Sequence, residues 1–460
     1  MKLAMNRKAN HIKHLSSVAA QAFTLALLLT VWLSSSVSAQ EEPPDGPPPI
    51  DPAFLAVIEL ESDRCQNTII DIHFHLGQWF TTASPLVAEM DASMITAGLL
   101  MAVYGRTAAP PYTDPNEDVA RMVQESPGRI FGLASLNTTG SWDTTAGAEL
   151  ERLVTYLSQP GFVGCKLAPP HTCLPLQSDI MRQIIETIAI SSNDPPGVAY
   201  IHIGTTPFCG ALGEMMLGYR GCCSPEYVDP TLLEDLMIEY AERVTFVLVH
   251  AGADFLPSDD ENYYNGTMVD QSLALAAAHE NVYLEISAFL RLDDPGNETA
   301  VEVYPGGALI LKKNQQAGLA HKTMYGSDAN HFPGGMAPYL ATAITRLQEA
   351  GFTEEERCMI LGTTAIQVFG LDLSSTTTAT PMSNSSSSSS NEGEEGATAE
   401  VDGDGSEEGT SEADSETTET NGNQDAAGST SSAMGPLQLT QEKCLGLLAA
   451  LISTAILAWV

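Results

Sequence analysis

The chain has 460 residues and a formal net charge of −38, with 20 Lys and Arg against 58 Asp and Glu. A surface of this charge repels phosphate backbones and anionic lipids, so nucleic acid and charged membrane surfaces are excluded as partners. The length allows one large domain or two ordinary ones, once the two ends of the chain, which differ from the rest in composition, are set aside.

The first 39 residues have the pattern of a secretory signal peptide. Lys and Arg cluster within the first 13 positions, an apolar run covers residues 18–33, and Val37-Ser38-Ala39 offers a cleavage site. A signal anchor is the alternative interpretation. The proline-rich residues 40–65 are expected to form a lead-in to the folded body.

The C-terminal end predicts a glycosylphosphatidylinositol (GPI) attachment signal over residues 434–460. The small residues Ser431-Ser432-Ala433 precede a polar spacer, and no charged residue follows the apolar run 444–460. A tail-anchored helix, the alternative, usually carries Lys or Arg on its cytoplasmic side. Residues 374–433 are rich in Ser, Thr, Gly and acidic residues and lack Lys and Arg, which predicts a disordered stalk.

Seven of the eight cysteines precede this apolar tail. In a secreted chain they are expected to form disulfides, and the odd number leaves one thiol unpaired. Sequons at Asn137, Asn265, Asn297 and Asn384 fit a secreted glycoprotein. Together these features predict a protein on the outer face of the cell membrane, which it contacts through a lipid anchor only.

The folded body is expected over residues 66–373, and its first apolar run is Thr68-Ile69-Ile70-Asp71-Ile72-His73-Phe74-His75. In a regular strand His73 and His75 share one face, while Ile72 and Phe74 share the other. Two imidazoles then converge on one point, as a divalent metal ion requires. A hydrogen-bonded pair of histidines at a sheet edge is the alternative.

Seven similar runs follow, with helical stretches between them. They cover residues 98–104, 130–136, 162–167, 198–204, 244–250, 281–287 and 322–328. Strands that alternate with helices pair in parallel, and runs that are apolar on both faces belong to a sheet covered by helices. Eight such units predict an α/β fold, a (β/α)8 TIM barrel. A doubly wound open sheet is the alternative, but no glycine-rich phosphate loop follows the first strand.

Polar residues collect where these runs end. They are His73 and His75, then Lys166, His202, His250, Glu285 and Asp328. Since the carboxyl ends of barrel strands carry the active site, this placement predicts one shared site.

Five segments resemble, in order, the motifs of the amidohydrolase-related family, a group of metal-dependent (β/α)8 hydrolases and decarboxylases. The segments are His73-Phe74-His75, Gly161-Phe162-Val163-Gly164-Cys165-Lys166-Leu167, Tyr200-Ile201-His202-Ile203-Gly204, Val249-His250-Ala251-Gly252 and Tyr325-Gly326-Ser327-Asp328. The resemblance covers residues 69–371.

The resemblance implies that His73, His75, His202 and Asp328 hold the metal and that His250 carries a proton beside it. Three imidazoles and a carboxylate with one open position suit Zn²⁺, with Mn²⁺ or Fe²⁺ as alternatives. The catalytic residues in this interpretation are His250 and Asp328. Either accepts the proton of the activated water, and His250 later protonates the leaving group.

Lys166 is interpreted as a residue that contacts the substrate or supports the ligands. Unmodified, it positions a substrate carboxylate or pairs with Asp328 or Glu285; carbamylated, it bridges two metals. The unmodified form is favoured because the ligand set for a single metal is already complete. Glu285 is assigned a structural role as its partner.

Residues 205–229 are too long for a tight connection and contain Cys209, Cys222 and Cys223. They form either a disulfide-pinned lid over the site or a surface excursion.

The sequence therefore predicts a cell-surface, metal-dependent hydrolase that cleaves an amide, ester or lactone of a small organic substrate. One alternative is a decarboxylase, which would hold its substrate carboxylate with a basic side chain such as Arg106, Arg220 or Arg291. The other is a non-catalytic surface binding protein on the same barrel.

Overall fold

A computed structural model of the chain describes residues 49–77, 80–102, 115–138, 142–191, 195–206, 221–253, 267–287, 307–328 and 333–374. The predicted signal peptide, the stalk beyond residue 374 and the GPI signal lie outside these residues. Among the described helices, none combines the length and the hydropathy needed to cross a bilayer.

Eight parallel strands form one sheet in the order of the sequence, and each pairs with the next. The strands are Ile70–His75 (β1), Ala97–Met101 (β2), Ile130–Ser135 (β3), Phe162–Leu167 (β4), Gly197–His202 (β5), Val244–Val249 (β6), Val282–Ile286 (β7) and Thr323–Tyr325 (β8). The Asp328 amide, just past β8, donates to the His73 carbonyl at 3.1 Å and brings the last strand beside the first. The predicted (β/α)8 barrel is confirmed.

Helices follow the strands as the predicted alternation requires. In the described residues they are Pro52–Arg64 (α1), Ala83–Ala92 (α2), Pro115–Glu125 (α3), Trp142–Leu157 (α4), Pro169–Thr172 (α5), Asp179–Ser191 (α6), Pro225–Val228 (α7), Glu234–Glu239 (α8), Thr267–Ala278 (α9), Gly307–Gln316 (α10), Met336–Ala350 (α11), Glu354–Cys358 (α12) and Thr364–Phe369 (α13), with a π-helical turn over Met359–Thr363.

The apolar residues divide into two clusters, as in a barrel whose strands are buried on both faces. The larger cluster joins one face of the strands to the surrounding helices. The smaller cluster fills the barrel interior with residues such as Leu99, Leu133, Tyr200 and Val247. Phe369 of α13 belongs to this interior cluster, so α13 closes the end of the barrel at which the strands begin.

The predicted lead-in, residues 40–65, contains the helix α1. Asp51 caps it by accepting a hydrogen bond from the Ala53 amide at 2.8 Å, and Pro52 occupies the first turn, where a missing N–H costs nothing. A disulfide between Cys65 and Cys358 ties the end of α1 to α12. This helix therefore packs as part of the folded body.

Candidate metal centre

The first strand is irregular where the two histidines lie. Its pairing with β2 shifts between Asp71 and Phe74, so Ile72 packs in the barrel interior while Phe74 packs in the outer layer. The prediction that these two residues share a face is wrong, because the bulge changes the alternation of side chains. Gly98 on β2 accommodates the bulge, since a Cβ there would lie 2.1 Å from the Phe74 ring.

Three of the four predicted metal ligands meet at the end of β1. The His73 and His75 Nε2 atoms lie 3.0 Å apart. Asp328 Oδ1 lies 3.3 Å from His75 Nε2 and 3.8 Å from His73 Nε2. Two imidazoles and one carboxylate, each with one donor atom facing the others, suit a divalent cation.

The fourth predicted ligand, His202, lies beside His250. Its ring packs edge-on against that of His250, with centroids 4.5 Å apart, and against His171 on the other side at 4.9 Å. Its Nε2 is 3.5 Å from the Thr205 carbonyl. The His73 ring lies 5.3 Å from that of His250. The structure therefore joins His202 to the group through His250.

Glu285 contacts His73 and His250 of this group, and also Ser287. Its carboxylate lies 3.3 Å from His73 Nδ1, and it accepts the His250 amide at 2.9 Å and the Ser287 hydroxyl at 2.9 Å. The charge of Lys166 acts on Glu285 as well. Beyond the structural role assigned from the sequence, Glu285 thus links His73, a predicted ligand, to His250, the predicted proton carrier. His73, His250 and Glu285 also form a second group of converging donor atoms.

Burial keeps His75, His202 and His250 neutral. Desolvation lowers the pKa of His75 to about 3 and that of His250 to about 4. It also lowers the pKa of His202 well below its ordinary value. Neutral imidazoles have a lone pair available for a metal or a proton, so these environments favour the roles assigned to the three residues.

The carboxyl groups shift in the opposite direction for the same reason. Burial raises the pKa of Asp71 to about 7, although hydrogen bonds from Ser327 and the His73 amide oppose the shift. Burial also raises the pKa of Glu285, against the opposing effect of its contacts with His250. Asp71 Oδ1 accepts the amides of His73 at 3.0 Å and Ser327 at 2.9 Å, so this side chain holds the bulge of β1 against the segment after β8.

Two of the predicted site residues have a left-handed backbone. His250 has a φ of 60° and Asp328 a φ of 54°, and Ala251 has a φ of 48°. Such conformations cost about 1–3 kcal/mol each in residues other than glycine and persist where surrounding contacts enforce them. The hydrogen bonds of the His250 amide to Glu285 and of the Asp328 amide to the His73 carbonyl are such contacts.

Lys166 ends β4 inside the barrel and is 4% exposed. Its Nζ lies 4.8 Å from the centre of the Tyr200 ring. The residue also lines a cleft at the ends of β2, β3 and β4, together with polar side chains such as Thr138 and Thr172. This position fits the predicted contact with a substrate.

A disulfide between Cys173 and Cys222 joins the segment after β4 to the segment after β5. The Cys222 amide also donates to the Pro170 carbonyl at 2.8 Å. Cys223 is disulfide-bonded as well, and Cys165 is the free cysteine of the described residues. Most of the predicted lid, residues 207–220 with Cys209, lies outside the described residues, so the choice between lid and surface excursion stays open.

The family model for amidohydrolases matches residues 70–371. The chain belongs to the amidohydrolase family. This span runs from the start of β1 through α13 and contains every residue of the candidate site. Members of the superfamily depend on metal ions, and the donor set at His73, His75 and Asp328 fits that requirement.

Several solved structures are similar to this chain. A probable 2-pyrone-4,6-dicarboxylic acid hydrolase from Acinetobacter baumannii, with citric acid bound, is 18% identical, with 66% of this chain and 99% of that chain covered and a TM-score of 0.42. The 5-carboxyvanillate decarboxylase from Sphingomonas paucimobilis is 15% identical, with 66% and 99% covered and a TM-score of 0.42. An amidohydrolase from Burkholderia multivorans with bound Zn is 16% identical, with 66% and 100% covered and a TM-score of 0.40. No curated protein matches the chain.

Three residues of the site are absent from the sequence-based prediction. Ser287 follows Glu285 by two positions at the end of β7, and this spacing, which places both on one face, is a signal that could have identified it. Asp71 stands in the same relation to His73, although the bulge makes the inference unsafe. His171 has no such signal, because a helical turn and the Cys173–Cys222 disulfide, neither visible in the pattern, bring it to His202.

Proposed function

We propose that the protein is a metal-dependent hydrolase that cleaves an amide, ester or lactone of a small organic substrate. The observation that carries this proposal is the convergence of His73, His75 and Asp328, with the buried neutral His250 close by. The reaction class is not fixed by family membership, since the family includes both hydrolases and decarboxylases.

His73, His75 and Asp328 would hold the ion, and the imidazole of His202 is available to complete the set on the side of His250. A bound divalent ion, Zn²⁺ in this proposal with Mn²⁺ or Fe²⁺ as alternatives, would polarise a carbonyl group and lower the pKa of water toward neutrality. Two neutral imidazoles and one carboxylate give a net charge of −1, which attracts a divalent cation strongly in a buried site.

His250 and Asp328 handle the proton in this proposal. His250 is neutral at physiological pH, so it can accept the proton of the attacking water and return it to the leaving group. Its left-handed backbone and the hydrogen bond that its backbone amide donates to Glu285 fix the direction of the ring. Asp328, with one oxygen facing the histidines, is the second candidate acceptor.

The position of Lys166 supports the proposal that the substrate carries a carboxylate. The Lys166 side chain lines the cleft among apolar side chains such as Leu136 and Leu174. Its charge acts on His75, His202 and His250. An ammonium group in such surroundings binds a carboxylate more strongly than it would in water. Replacement Lys166→Met should therefore raise KM for an acidic substrate far more than it lowers kcat.

Decarboxylation is the second candidate reaction. Arg106, Arg220 and Arg291, which were predicted to hold a carboxylate in that case, lie outside the described residues. Lys166 could serve the same purpose. Incubating the purified protein with aromatic and unsaturated acids and with esters, amides and lactones, while measuring CO₂ release and acid release separately, distinguishes the two reactions.

We propose further that the protein lies on the outer face of the cell membrane through a GPI anchor. The signal-peptide and attachment patterns support this location, and the disulfides Cys65–Cys358 and Cys173–Cys222 suit an oxidising compartment. Release of the protein from intact cells by a phosphatidylinositol-specific phospholipase is the expected result. Retention on the membrane after that treatment would refute the anchor.

Metal content decides the main proposal. About one equivalent of zinc or manganese should accompany the chain from residue 40 to residue 430, as measured by mass spectrometry, because the donor set fits a single ion. The pair of replacements His73→Ala and His75→Ala should abolish it. His321→Ala, at an exposed histidine, is the matched control and should leave it unchanged. Absence of bound metal from the unaltered chain would refute the proposed function.

A further inference from the structure

Three buried side chains meet at the hydroxyl of Ser287, itself buried, just past β7. Its Oγ lies 2.8 Å from His250 Nδ1, 3.1 Å from His73 Nδ1 and 2.9 Å from Glu285 Oε2. All four side chains are at most 3% exposed. Water therefore cannot easily satisfy these groups, and the hydrogen atoms must be shared among them.

The proton count for the hydroxyl has one solution when Glu285 is ionised, the form that the hydrogen bond from the His250 amide and the charge of Lys166 favour. A serine hydroxyl has one proton to donate and two lone pairs with which to accept. The carboxylate of Glu285 only accepts, so the hydroxyl donates to it. Both lone pairs of Ser287 Oγ then accept, one from Nδ1–H of His73 and one from Nδ1–H of His250.

Neighbouring acceptors other than the Ser287 hydroxyl support the same assignment. His250 Nδ1 also lies 3.4 Å from the backbone carbonyl of Ser287, and His73 Nδ1 lies 3.3 Å from Glu285 Oε1. A carbonyl and a carboxylate oxygen accept hydrogen bonds and cannot donate them. Each Nδ1 therefore faces acceptors and has to carry a hydrogen.

We propose that Ser287 is a positioning residue that fixes the tautomers of His73 and His250 together. With hydrogen on both Nδ1 atoms, the lone pair of each neutral ring lies on Nε2. In His73 that atom faces His75 Nε2 and Asp328 Oδ1, where a cation would be held. In His250 it is the ring nitrogen that does not contact Ser287, and its lone pair can accept a proton. The Ser287 hydroxyl thus sets the tautomer of a metal ligand, His73, and of the proton carrier, His250.

This inference rests on the proposed function only for the roles of the two histidines, since the tautomers follow from the hydrogen bonds. The first test uses the metal-free full-length protein with ¹⁵N-labelled histidine. Long-range ¹H–¹⁵N spectra distinguish a ring protonated on Nδ1 from one protonated on Nε2, and His73→Gln and His250→Gln assign the signals. Both histidines should show the Nδ1–H tautomer. An Nε2–H tautomer at either would overturn the proposal.

The second test removes the hydroxyl. Ser287→Ala should shift the His250 signals toward a mixture of tautomers, and it should weaken the binding of Zn²⁺ by about 10- to 100-fold in competition with a chelator, as loss of an outer partner does. Ser93→Ala is the matched control, because Ser93 is buried and its hydroxyl has no hydrogen bond. It should change neither measurement.

Unchanged imidazole signals in folded Ser287→Ala would overturn the proposal. If that variant does not fold, the spectrum of the wild type still decides. A wild type that binds no Zn²⁺ but shows both Nδ1–H tautomers would refute the proposed function and leave the positioning role of Ser287 intact.

Discussion

Asp328 has both a carboxylate that faces the predicted metal ligands and a left-handed backbone conformation. Its carboxylate faces both histidines, and its backbone has a φ of 54°, a conformation that Asp and Asn tolerate better than most side chains. In this conformation the Asp328 amide donates a hydrogen bond to the His73 carbonyl. This hydrogen bond connects the end of the last strand to the first strand. The residue at this position is therefore restricted by the backbone as well as by the chemistry.

The replacement Asp328→Asn separates these two demands. Asn keeps the shape and the left-handed backbone, so the free energy of unfolding should change by less than about 1 kcal/mol. Metal affinity should fall by more than about 100-fold, beyond the loss typical of an outer partner, because a charged ligand is lost. Chemical denaturation and chelator competition measure the two effects.

The control is Asp270→Asn, at an exposed carboxylate paired with Lys313. It should leave both quantities nearly unchanged, because exposed ion pairs contribute little. Full metal affinity in Asp328→Asn would show that Asp328 is not a ligand.

Glu89 is a buried carboxyl group outside the metal centre. Its Oε1 accepts the Met336 amide at 3.2 Å at the start of α11, and burial raises its pKa despite the hydrogen bonds from Gly334, Gly335 and Met336. Because the folded-state pKa lies above the unfolded value, the protein gains stability from this group below the unfolded pKa and loses it as the pH rises through the folded pKa.

The replacement Glu89→Gln removes this titration. The stability of the wild type relative to Glu89→Gln should fall as the pH rises from about 4.5, the ordinary value for a glutamate, through the raised pKa. Thermal unfolding of both proteins across this range measures the difference. A difference that stays constant, or that grows in the wild type's favour with rising pH, would contradict the assignment. Glu354→Gln, on the exposed first turn of α12, is the control.

The residues of the site were predictable only in part. Polar side chains that end apolar runs indicated the site, because parallel strands of a barrel present their carboxyl ends to one face. Ser287 and the link from Glu285 to His73 depend on distances across the barrel, which no local pattern encodes. The bulge at Asp71 was also invisible, since the same apolar run fits a regular strand.

At the scale of elements, the eight strands followed from their apolar runs. The helices α1 and α2 were missed: α1 begins at a proline that reads as part of the proline-rich lead-in, and α2 has a weak amphipathic pattern. The sequence pattern over residues 354–369 fits a single helix, whereas the structure has α12, a π-helical turn and α13. Gly362 in that turn lies against Thr68, where a Cβ would come within 2.4 Å of a carbonyl oxygen. Such a contact is tertiary and leaves no periodic signal.

A buried ion pair connects α1 to α12. The guanidinium of Arg357 contacts the Glu61 carboxylate with two nitrogen atoms, and its Nη2 lies 3.1 Å from Glu61 Oε2. Glu61 is fully buried and Arg357 is 7% exposed. Arg357 also donates to the Phe352 carbonyl at 3.0 Å. Removing one charge from such a pair leaves the other desolvated without compensation.

The replacement Glu61→Gln should lower the free energy of unfolding by about 3 kcal/mol. Glu349→Gln is the control, because Glu349 pairs with Arg346 at the surface at 2.8 Å, and its loss should cost at most about 1 kcal/mol. Urea denaturation measures both. A cost at Glu61 no larger than that at Glu349 would mean that the buried pair does not hold α1 in place.

At the scale of the whole molecule, the elements that stabilise the barrel lie at one end and the residues of the candidate site lie at the other. The elements that close it, α1, α12 and α13, gather at the end where β1 begins, while the histidines, Asp328 and the segment pinned by Cys173 lie where the strands end. This division is general for the fold, and it explains why the sequence predicted both the barrel and the place of the site. The predicted signal peptide, stalk and GPI signal lie beyond the described residues and stay predictions.

The two disulfides test this division. Cys65–Cys358 joins residues 293 positions apart, and Cys173–Cys222 joins residues 49 positions apart. Because the entropy lost by the unfolded chain grows with loop length, removing the Cys65–Cys358 disulfide by Cys65→Ala and Cys358→Ala should lower the free energy of unfolding by about 5 kcal/mol. Removing the Cys173–Cys222 disulfide in the same way should lower it by about 4 kcal/mol.

The first pair of replacements should leave Zn²⁺ affinity unchanged. The second should weaken it, since the segment that carries His171 beside His202 loses its link to the chain after β5. Denaturation and chelator competition on both double variants measure these effects, and a loss of metal affinity with Cys65–Cys358 alone would show that the two ends of the barrel are coupled.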